Sequence, residues 1–150
     1  MIFWTEERKG QVREAERQTY ELLQELGTGS FKRIRVLDFR EKDGTADCNQ
    51  VGGQQGQHLD VRMYAGDPDK KDWAVAHELG HGVHELYRGS VDTCGESWAE
   101  AIRYFVESRH NPGSEWLMAG PPQHDRIILN ACEWNWEKFK TMFAARKLQA

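Results

Sequence analysis

Two histidines one helical turn apart, His77 and His81 in "HELGH", flank a glutamate, Glu78. On a helix both imidazoles project from one face and Glu78 sits beside them, rotated by about 100°. Such a triplet can grip one Zn²⁺ with two nitrogens while a carboxylate takes the proton of a water at the open position. A catalytic zinc needs a third protein ligand as well. The pattern H-E-x-x-H-x-x-G-x-x-H, which supplies a third histidine, fails here, because its glycine position holds His84 and its last position Tyr87. His84 shares the helix face, yet three ligands in line along one helix cannot converge on one ion. That leaves Glu96 and Glu100 in "GESWAEAIRYF", spaced i, i+4 and therefore on one face of a second helix. "TCGE" also fits a capping box, with Thr93 as the cap and Glu96 reaching back to its amide, so spacing alone leaves the choice between the two glutamates open.

The elements that must carry these residues are legible as periodicities. Residues Thr5 to Leu26 form an amphipathic helix with Val12, Ala15, Thr19, Leu22, Leu23 and Leu26 on one stripe, and Gly27 stops it. "FKRIRVLDF", residues 31 to 39, reads as a covered strand with a turn signal after it at Asp43-Gly44, and a second strand follows near Ala46 to Val51. "HLDVRMY" alternates, with Leu59, Val61 and Met63 opposite His58, Asp60, Arg62 and Tyr64, as in a half-exposed strand. The next helix is expected to start with Asp67 as N-cap and Pro68 as first residue. It carries Val75, Leu79, Val83 and Leu86 opposite the histidines and closes at Gly89. The loop Gly89 to Gly95 leads to a helix over Glu96 to Arg109, "NPGSEW" and "GPP" break the chain, and a last aromatic-rich helix spans about His124 to Lys147. The order predicts an α+β fold in one domain, residues 1 to 150: an N-terminal helix, about three strands in an antiparallel or mixed sheet, and three helices.

Composition bounds the rest. With 29% charged residues and a net charge of -4 in 150 residues, no broad basic surface advertises nucleic acid. The start "MIFWTEERKG" reaches its charges too soon for a signal peptide, and no run of about eighteen apolar residues offers a membrane span, so an intracellular, cytoplasmic chain is expected. Cys48, Cys94 and Cys132 lack CxxC spacing and read as reduced thiols.

"HELGH" followed after a short connection by "ESWAEAIRYF" resembles the gluzincin metallopeptidases, and is most similar to the catalytic domain of anthrax-type lethal factors and related small proteins. The similarity covers about Trp73 to Val106. It implies a zincin-like fold with one Zn²⁺, His77, His81 and Glu96 as ligands, Glu78 as general base, and Glu100 supporting a ligand histidine. It also implies hydrolysis of a peptide or protein substrate, with the strand His58, Leu59, Asp60, Val61, Arg62, Met63, Tyr64 as the edge on which an extended peptide docks. The family's tyrosine shortly upstream of the glutamate ligand is missing, so the oxyanion-stabilising residue is unassigned, with Tyr87, Tyr104, His110 and His124 as candidates whose default roles are packing, capping or surface. The alternative expectation is a zinc-binding, catalytically inactive domain that holds a protein partner in the same groove.

Overall fold

The computed structural model describes residues 2–27, 33–51, 58–67, 72–83 and 91–146. The first helix, α1, is Glu6–Gln24. Its start follows from its sequence: the Thr5 hydroxyl accepts the Arg8 N–H at 3.1 Å, and Glu6 and Glu7 sit in the first turn, where the helix dipole favours negative charge. The predicted stripe Val12, Ala15, Thr19, Leu22, Leu23 is buried, and the Thr19 hydroxyl is satisfied by the Ala15 carbonyl at 2.6 Å.

Three strands follow, β1 (Arg33–Asp43), β2 (Asp47–Val51) and β3 (His58–Gly66), in the order β1-β3-β2. β3 runs parallel to β1 and antiparallel to β2, so the sheet is mixed. Two expectations are overturned here. The Asp43-Gly44 signal does not make a hairpin, because β3 lies between β1 and β2. For the same reason the strand His58 to Tyr64 is the centre of the sheet, and its backbone groups are taken up by neighbours on both sides rather than left for a peptide. Cross-strand ion pairs go with this order: Arg62 grips Asp47 of β2 with two bonds of 2.7 Å, and Arg35 of β1 grips Asp60 at 2.8 and 3.1 Å. β1, read as a covered strand, is an edge with Val36 exposed, since only one side of it has a neighbour.

The histidine helix, α2, is shorter than its apolar stripe suggested: Ala74–His81, with Trp73 at the N-cap and Gly82 at the C-cap. Asp67 does not cap it; its carboxylate accepts the Ala46 N–H at 3.2 Å, tying the end of β3 to the start of β2. Pro68, His84, Leu86, Tyr87 and Gly89 lie outside the described residues. The approach to α2 is anchored by Arg8, which bonds the Asp72 carboxylate at 2.9 Å and the Ala65 carbonyl at 3.1 Å.

The second glutamate-bearing helix, α3, is Val91–His110, so it begins before the expected loop has ended. Thr93 is inside it and cannot be its N-cap. Beyond α3 come α4 (Glu115–Ala119), a 3₁₀ turn (Gln123–Asp125), α5 (Ile127–Ala131) and α6 (Trp136–Arg146). The single helix expected over His124 to Lys147 is thus broken, at Glu133 and Trp134, whose φ of 54° and 58° lie in the left-handed region. Among the described residues the fold is α+β, with six α-helices and one three-stranded sheet. No helix among them is long and apolar enough to cross a membrane.

Two buried clusters meet on α2. Ala76, with Val83 just past the C-cap, lies on the helical side with Trp98, Ile102, Phe105, Leu129, Phe139 and Phe143. Ala74, Val75 and Leu79 face the sheet, against Leu59, Val61 and Met63. Gly80 explains itself by contact: a Cβ there would lie 2.6 Å from the Cα of Ala99, so α2 and α3 cross with their backbones touching. A glycine inside a helix costs up to about 1 kcal/mol relative to Ala. Here it sets the separation of the two helices, and with it the distance between the histidines and the glutamates.

Candidate metal centre

With α2 held on two sides by the core, its remaining face opens into a cavity of about 490 Å³, lined by His77, Glu78, His81, Glu96, Glu100 and Arg103 from the helices and by residues of the β1–β2 connection and β2. The Nε2 atoms of His77 and His81 are 3.2 Å apart. Glu96 reaches both, with Oε2 3.0 Å from His77 Nε2 and Oε1 3.3 Å from His81 Nε2. One ligand atom from each of the three residues lies within 4.8 Å of the others. In a tetrahedral zinc site with bonds of about 2.0 to 2.1 Å, donor atoms sit roughly 3.3 Å apart. The donor set and its spacing therefore fit one zinc ion with a position left over.

Glu100, one turn after Glu96, is on the other side of His77, with Oε1 3.3 Å from Nδ1. A neutral imidazole that gives its Nδ1 proton to a carboxylate carries its lone pair on Nε2, toward Glu96 and His81. Spacing left the two glutamates undecided; the crossing of the helices assigns them different nitrogens. Burial works against charge on His77, but Glu100 and Glu96 outweigh it and raise its pKa to about 10. Hydrogen bonds from His77 and His81 hold Glu96 well below the usual carboxylate range.

Glu78 is 6% exposed and lines the same cavity. Burial pushes its carboxyl upward, against the opposing pull of His77 and His81. A carboxyl so placed is closer to a proton acceptor useful near neutrality than a solvated one. Cys48 of β2 stands alongside, its Sγ 3.9 Å from the Glu78 carbonyl oxygen, and burial next to the Glu78 and Asp47 carboxylates pushes its thiol far up. It is free, as is the buried Cys132.

The proposed oxyanion residues fare differently. Tyr104 packs edge-on against Phe105 and Trp134, in the helical core. His110 ends α3, and His124 is 81% exposed beside Asp125. None of these three lines the cavity, and Tyr87 lies outside the described residues. Sequence reasoning missed Arg103, although it lies seven residues after Glu96 and three after Glu100, on the same helical face.

Comparison with protein-family models, with curated proteins and with solved structures finds no match for this chain.

Proposed function

We propose that the protein is a zinc-dependent metalloendopeptidase. The observation that carries this is the convergence of His77, His81 and Glu96 on one point of a cavity that also holds the buried carboxylate of Glu78. Zinc, when bound, supplies Lewis-acid polarisation of a carbonyl and a water acidified to a pKa of about 7. The protein's own groups do the rest. Glu100 keeps His77 in the tautomer that presents Nε2. Glu78 accepts the water proton and returns it to the leaving amine, a role for which its burial and its place between the two histidines suit it. An extended peptide would add to β2, an edge strand whose Asp47 and Cys48 line the cavity, by main-chain hydrogen bonds.

The test is metal content of the purified protein, followed by digestion of a peptide library with and without a chelator. About one zinc per chain and chelator-sensitive cleavage are expected. Zinc without cleavage would instead favour an inactive domain that binds a protein partner, and absence of both would remove the metal reading altogether.

Zinc binding should also be coupled to protons. In the metal-free protein His77 keeps its proton up to about pH 10, and zinc needs the neutral ring, so the metal must displace that proton. Apparent affinity should therefore rise about tenfold per pH unit between pH 6 and 8, with about one proton released. Calorimetric titration in buffers of different ionisation enthalpy measures this directly. Affinity flat with pH would mean that His77 is already neutral in the metal-free protein or is not a ligand.

A further inference from the structure

Arg103 is the unusual member of the cavity wall. It is 5% exposed, and it is the one Lys or Arg among the described residues lining a cavity otherwise rich in carboxylates. Its position is fixed from two sides. Nε donates to Glu107 Oε2 at 2.5 Å, and the guanidinium lies over the Trp116 ring, 4.3 Å from its centroid. Glu107 is itself occupied, since its other oxygen accepts from Asn111 Nδ2 at 3.1 Å. This leaves Arg103 Nη2 shielded from solvent with no hydrogen-bond partner. An orphaned buried donor costs on the order of 1 to 3 kcal/mol, more on a charged group, so Glu107 leaves part of the donor capacity of this guanidinium unused.

Position selects the acceptor. Arg103 follows Glu96 by seven residues, about 10 Å along the axis of α3, and its guanidinium is held against Glu107 and Trp116. That axial interval equals roughly three residues of extended chain, at about 3.3 Å each. The group that matches a guanidinium edge best is a carboxylate, which accepts two parallel N–H bonds.

We infer that Arg103 is a specificity-determining residue that binds a carboxylate of the peptide, two or three residues from the scissile bond. The carboxylate comes from an Asp or Glu side chain or from a free C terminus. This rests on the peptidase reading above.

The experiment uses zinc-loaded protein and pairs of fluorescein-labelled peptides that differ only as Glu against Gln at one position, or as C-terminal acid against amide. Cleavage is followed with the wild type, and binding is followed by anisotropy with Glu78→Gln, so that recognition is read without turnover. A wild-type preference for one carboxylate source is expected, side chain or terminus, the two peptide series telling which. The preference should shrink roughly 10- to 100-fold in Arg103→Lys, which keeps a charge opposite Glu107 but loses the fork. The same loss is expected in Arg103→Gln/Glu107→Gln, which removes the buried pair together and guards against a folding defect of either single change. Wild-type protein that binds acid and neutral peptides alike overturns the inference and leaves Arg103 as a structural partner of Glu107. So does a preference that survives in a folded variant. Failure of the peptidase reading shows separately, as absence of cleavage of every peptide.

Discussion

Glu78→Gln is expected to retain zinc and to lose peptide hydrolysis by about 10²- to 10⁴-fold. The amide has nearly the volume of the carboxylate, and the side chain sits in a pocket that leaves it 6% exposed, so the substitution keeps the packing of α2 against both clusters. What it removes is the capacity to accept a proton. The three converging donors, His77, His81 and Glu96, are untouched. Metal content should therefore match the wild type while kcat/KM collapses, and the two numbers must be measured on the same preparation. Turnover that stays at the wild-type level would take the general-base role away from Glu78.

Glu96→Ala and Glu100→Ala should differ in kind. Removing Glu96 leaves two histidines facing each other across 3.2 Å with no third protein donor, and tight zinc retention should be largely abolished. Removing Glu100 leaves the donor set complete but frees the Nδ1 side of His77, a loss that usually costs about 10- to 100-fold in metal affinity or activity. The Glu96 side chain is 57% exposed and Thr93 lies within α3 rather than capping it, so stability lost by metal-free Glu96→Ala comes from its bonds to His77 and His81 and not from a lost helix cap. Competition with a chromophoric chelator across the wild type and both variants decides. Should Glu100→Ala lose zinc while Glu96→Ala keeps it, the ligand assignment is off by one turn and must be reversed.

Local pattern carried much of this protein. The stripe of α1, the alternation of β3 and the candidate site residues on α2 and α3 are all properties of neighbours three, four or two positions apart, which periodicity reports directly. His77, Glu78 and His81 share a helix, so their mutual arrangement follows from the rise and turn of one element. Boundaries were less legible. α2 stops at His81 although its apolar spacing runs on, and the C-terminal segment breaks at Glu133 and Trp134 although neither is a residue that favours positive φ.

Relations between elements lay beyond the sequence. That β3 sits between β1 and β2, and cannot be a docking edge, depends on pairing between strands distant along the chain, which alternation within one strand does not encode. The different stations of Glu96 and Glu100 around His77, and the place of Arg103 on the same wall, depend on how α3 crosses α2. That crossing is set by Gly80 against Ala99, nineteen residues apart in sequence and in contact in space. A spacing of four identifies which side chains share a face; only the packing of that face against another element decides which atom each of them meets.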